Sequence, residues 1–142
     1  MKSQIFLFDP VLYPFPLLVT KKYDEKELAE LFYVINTNNE LEEKPEEFVP
    51  NPNTIARTIE VASKETHMRY ILVILVRTSA IGAGTIAHEA YHAANMTAEI
   101  LGFLPDKAMY DEPCAYLVQW GANCIECVLR GHPERMNGVE YK

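Results

Sequence analysis

The segment TIAHEAYHAANMT, residues 85–97, carries His88, Glu89 and His92 in the order His-Glu-x-x-His. On a helix, positions four apart share one face, so the two imidazoles stand one turn apart on the same side. Two neutral imidazole nitrogens at that spacing can hold one divalent metal ion, Zn²⁺ above all. The carboxylate beside them can then take a proton from an activated water. With 4 histidines in 142 residues, a chance match arises in about one such chain in a hundred. The bland alternative is an amphipathic core helix with two satisfied histidines. Context favours the metal site: residues 85–101 contain no proline or glycine, and the strand-like segment 70–76 precedes them.

A catalytic zinc site needs a third protein ligand and an open fourth position. Downstream, Asp111, Glu112, Glu126 and His132 could supply it. Glu112 is preferred, because it falls in the first turn of the next predicted helix and a turn can return that helix alongside the first. Glu89 is then the general base that moves a proton from water to the leaving amine. Tyr110 and Tyr116 are the nearest candidates to stabilise an oxyanion.

With these residues the chain resembles the HExxH zinc metallopeptidases, the zincins, and within them the gluzincin arrangement. The resemblance implies His88 and His92 as metal ligands, Glu89 as base and Glu112 as third ligand on the following helix. It also implies a strand beside the active helix, 70–76 or its hairpin partner, that holds an extended peptide by backbone pairing. The tract 85–92 with Glu112-Pro113-x-Ala115-Tyr116-Leu117 is similar to small metallopeptidases encoded by bacteriophages and bacterial mobile elements. The likeness covers mainly residues 69–130. Two features depart from it. Tyr116 stands where larger gluzincins often carry a ligand-orienting acid, and these 142 residues are not expected to include the second domain that walls their cleft.

The elements that must position these residues are legible from pattern. Residues 1–20 hold two apolar runs split by Pro10, Pro14 and Pro16, which predicts short or edge strands. Asp24 can cap a helix over residues 24–34, with Glu27 completing a capping box and Leu28, Leu31, Phe32 and Ile35 forming its apolar stripe. Residues 36–53, rich in Glu and Pro, predict an acidic loop. Segments 54–62 and 68–76 predict a hairpin, the second strand buried on both faces, with His67 at its exposed turn. The motif helix should run to about Leu101 and end at Gly102. A last helix should span about 111–129, with Leu117, Trp120, Cys124 and Val128 on its apolar side. Residues 132–142 read as a tail.

Bulk properties bound the rest. A chain of 142 residues predicts one domain, 1–142. A net charge of −7 argues against nucleic acid as a partner. No secretory signal and no membrane-length apolar run is visible. Three cysteines suggest no disulfide framework, and Cys124-x-x-Cys127 inside a helix suits buried thiols better than a metal clip. A cytoplasmic location follows as the expectation.

Together these features predict an α+β domain. Its small, mostly antiparallel sheet packs against the motif helix and a C-terminal helix, as in a minimal zincin. The expected function is Zn²⁺-dependent cleavage of a peptide or protein substrate. The competing readings are a non-catalytic module that holds metal or peptide, and a regulatory protease acting on a phage-type repressor.

Overall fold

A computed structural model describes residues 2–11, 13, 15–102 and 112–142, the side chain of Glu112 excepted. The class is α+β. Among the described residues, three α-helices accompany one sheet of seven strands in the order β4-β3-β5-β6-β2-β1-β7. The strands are β1 (Gln4–Phe8), β2 (Leu17–Lys22), β3 (Phe32–Ile35), β4 (Leu41–Glu42), β5 (Ala56–Ser63), β6 (Arg69–Leu75) and β7 (Val139–Glu140). Every neighbouring pair is antiparallel except β2 with β6. The helices are α1 (Glu25–Leu31), α2 (Ala83–Leu101) and α3 (Glu112–Leu129).

The β5–β6 hairpin is the spine. Its strands pair from Ala56↔Leu75 to Ala62↔Arg69. At the turn, the Ser63 hydroxyl accepts from the Glu65 and Thr66 amides, and His67 adopts φ 61°. The unbroken aliphatic run of β6 serves two cores. Ile71, Val73 and Leu75 join α2 and α3, whereas Tyr70, Leu72 and Ile74 join Leu28, Phe32 and Phe48 on the other face. Such a strand buries both its odd and its even series, which is why no polar alternation is visible in it.

Five expectations need correction. The first helix stops at Leu31, and Phe32–Ile35 is strand. Aromatic and β-branched residues gain more from pairing with β5 than from extending a short helix. The capping box does not close either. Asp24 does accept from the Lys26 amide at 3.0 Å, but Glu27 accepts from the Ser3 amide at 3.1 Å instead. The acidic stretch 36–53 is not structureless: it holds β4 and a 3₁₀ turn over Pro45–Phe48, and it buries Phe48 to 1 % exposure. The last residues are not a tail. A 3₁₀ turn over Pro133–Met136 leads into β7, which pairs with β1. Gly138 permits this, since a Cβ there would lie 2.5 Å from the Phe8 ring. With β7 and β4 outermost, β1 and β2 are interior strands rather than edges.

Candidate metal centre

The sequence makes α2 a helix with little bulk on its buried side, which faces the sheet and α3. Ala90, Ala93, Ala94 and Ala98 are all buried there. Gly82 stands at its N-cap, and Gly102 ends it in the left-handed conformation, φ 77°. Small side chains let the helix axis approach the sheet closely, and the motif residues inherit that closeness.

His88 and His92 project from the opposite, solvent-facing side, and the His88 side chain is 66 % exposed. Their rings cross at 79° with centroids 4.7 Å apart, and their Nε2 atoms stand 3.1 Å from each other. Two nitrogens on one tetrahedral zinc, each at about 2.0–2.1 Å, stand about 3.3 Å apart. At 3.1 Å the two nitrogens are in hydrogen-bond contact, one ring donating to the other, and their spacing is close to that of two ligands to one ion. The chemistry of the pair fits zinc.

Glu89 turns the other way and is 6 % exposed. Its Oε1 accepts a hydrogen bond from the Thr58 hydroxyl of β5 at 2.8 Å, and its Oε2 lies 3.9 Å from His88 Nε2. Thr58 also approaches the Glu89 carbonyl oxygen at 3.4 Å. The carboxylate thus bridges strand and histidine pair. Among the described residues, no buried side-chain polar atom lacks a partner.

Two clefts meet at this bridge. One, about 520 Å³, is lined by Asn51, Thr54, Ala56, His88 and Glu89. The other, about 740 Å³, runs between β5 and the later turns of α2, with Thr58, Glu60, Met96 and Glu99 in its wall. Along this side β3 pairs only with Val61–Ser63. Among the described residues, no strand covers the outer edge of β5 from Ala56 to Glu60. Of the two strands expected to offer an edge, β6 is enclosed by β5 and β2, and its partner β5 is partly open.

The remaining candidates lie on or around the following helix. Helix α3 runs antiparallel to α2. Leu117 and Trp120 lie with Ala93, Ala94 and Thr97, while Ala122 and Glu126 lie with Ile86 and Ala87. A Cβ at Gly121 would meet the Ala90 Cβ at 3.7 Å, which fixes the register. At 1.5 Å rise per residue, Glu112 begins α3 roughly 10 Å beyond the level of His92, toward the C-terminal end of α2. The side chain of Glu112, and Tyr110 and Asp111 altogether, lie outside the described residues. Glu126 pairs with Arg130 at 3.0 Å and His132 with Glu134 at 3.3 Å, at the other end of α3. Tyr116 is 66 % exposed and, among the described residues, bonds to none of the motif side chains. No set of three His, Cys, Asp or Glu side chains converges in a metal-holding group among the described residues.

Cys124 and Cys127 are buried and unpaired. Burial, chiefly, raises both thiols above the usual cysteine range, which makes them poor thiolate ligands.

Thr58 is the one residue of the centre that the motif did not announce. Its signal was nonetheless present: Ala56, Thr58 and Glu60 form the helix-facing series of β5, and a hydroxyl there needs a partner on the helix. No helix is long and apolar enough to cross a membrane among the described residues. Comparison with protein-family models, with curated proteins and with solved structures found no match to this chain.

Proposed function

We propose that this chain is a zinc-dependent peptidase, with His88 and His92 as metal ligands and Glu89 as general base. One observation carries the reading: the two Nε2 atoms converge to 3.1 Å while the carboxylate between them in sequence is held against the sheet. Zinc, if held by His88 and His92, would supply Lewis acidity for a water and for a carbonyl oxygen. Glu89 accepts the proton of the attacking water through the oxygen that faces His88, then returns it to the leaving amine. The uncovered edge of β5 supports an extended peptide as substrate, seated by backbone hydrogen bonds beside α2. Glu112 is the proposed third ligand, and the helix register opposes it: its reach requires the first turn of α3 to close toward His92.

Metal analysis of the purified chain tests this. About one equivalent of zinc is expected, lost in His88→Ala and His92→Ala and kept in Glu89→Gln. Cleavage of a peptide library should fall about 10²- to 10⁴-fold in Glu89→Gln. Equal inactivity of wild type and Glu89→Gln, with zinc bound, would identify a non-catalytic metal-binding module instead. A metal-free, folded wild type would end both readings. Glu112→Ala should cost zinc affinity; unchanged affinity removes Glu112 alone and leaves the histidine pair standing.

A further inference from the structure

We propose that Thr58 is a positioning residue for the Glu89 carboxylate, tying Oε1 to β5 so that Oε2 faces His88. Geometry divides the two oxygens in this way: 2.8 Å from Thr58 Oγ1 to Oε1, and 3.9 Å from His88 Nε2 to Oε2. The contact joins residues 31 apart in sequence, on two different elements. Among the described residues, Thr58 is the one hydrogen-bond donor to this carboxylate.

A glutamate has three side-chain torsions, and a free carboxylate would sample both faces of the helix groove. Two constraints act here. Burial to 6 % exposure limits competition from water, and the hydroxyl bond selects one orientation. Thr58 itself sits on a rigid strand paired with β6 along its length. A β-branched residue in a strand has few χ1 states, so its hydroxyl is a fixed donor rather than a searching one. Because Thr58 also lines the larger cleft, the hydroxyl stands between that cleft and the base. Preorganisation of this kind acts on the turnover step, with little effect on how tightly substrate binds.

The inference rests on Glu89 being the base of the proposed peptidase, so its test has one arm that needs no activity. In the full-length protein with ¹³C-labelled glutamate, the Glu89 carboxylate stretch is identified by its loss in Glu89→Gln. It is then compared in wild type, Thr58→Val and Thr58→Ser. A shifted band in Thr58→Val, restored in Thr58→Ser, is expected; an unmoved band in Thr58→Val overturns the proposal. Thr58→Ala gives the same comparison where the valine variant does not fold. In the zinc-loaded protein, Thr58→Val should lower kcat about 10- to 100-fold with KM nearly unchanged and zinc content intact, and Thr58→Ser should recover most of it. A raised KM with unchanged kcat would also overturn the proposal. A wild type that cleaves nothing counts against the peptidase reading, and the carboxylate band then decides the role of Thr58 alone.

Discussion

On one face of the sheet, Leu28, Phe32, Phe48, Tyr70 and Leu72 fill the core with large side chains. On the other, the sheet still contributes large side chains such as Phe8, Leu17, Ile71 and Leu75, but the helices meet them with Ala90, Ala93, Cys124 and Cys127, which bring two helices close to β6 and to each other. Large side chains hold elements apart and contribute most of the apolar burial. Small ones let backbones approach, so that a short polar side chain on a strand can reach a carboxylate on a helix. Among the described residues, the strand-to-motif hydrogen bond, from the Thr58 hydroxyl to the Glu89 carboxylate, lies on this helix-covered face. Chemistry and packing are thus divided between the faces, and the division is open to measurement.

Removing bulk should hurt the first face most. Phe48→Ala deletes a ring that is 1 % exposed, and should cost about 3–5 kcal/mol in denaturant unfolding. Zinc affinity of the remaining folded protein should not change, since no motif residue touches that core. An unfolding cost below about 1 kcal/mol would mean that the stretch around Phe48 docks without contributing to the core.

Adding bulk should hurt the second face. Ala90→Leu adds three carbons at a position that is 0 % exposed, on the side of α2 that faces Gly121 of α3. Overpacking of this kind costs about 1–3 kcal/mol. A neutral result, read from the same unfolding curves, would show that α2 and α3 slide freely. In that case the register that separates Glu112 from His92 would carry no weight.

The smallest effect is expected in the cleft between the two. Burial raises the Glu60 carboxyl above its ordinary range, the charge of Glu99 adds to this, and Arg69 opposes it. An acid with a higher pKa when folded binds more protons in the folded state. Its contribution to stability therefore falls as pH rises from the ordinary value through the raised one. Glu60→Gln should stabilise the chain at about pH 7 by less than about 1 kcal/mol, because the group is half exposed. The gain should vanish near pH 3, where the carboxyl is protonated in both states. A gain that persists at the lower pH would assign it to something other than charge.

Much of this architecture was legible in order along the chain. The hairpin, the motif helix with its glycine stop, the buried thiols and the α+β class each follow from periodicity and from glycine placement. What misled was local ambiguity. Phe32-Tyr33-Val34-Ile35 continues the apolar stripe of a helix while having the composition of a strand, and only a waiting partner in β5 decides between them. Residues 36–53 look like solvent-exposed loop by charge, yet one phenylalanine among them anchors the stretch. Residues 139–140 have no strand signature of their own; they pair because Gly138 lets the chain pass beneath Phe8.

Of the candidate site, sequence alone determined the pair of imidazoles, because a helix fixes the relation between positions four apart whatever surrounds it. It also fixed that a carboxylate would stand beside them. Tertiary structure decided what that carboxylate touches and which strand edge lies open next to it. It also decided how far the following helix begins from the pair. Those relations join residues tens of positions apart, and they depend on how closely two backbones pack, which is set by the small residues between them.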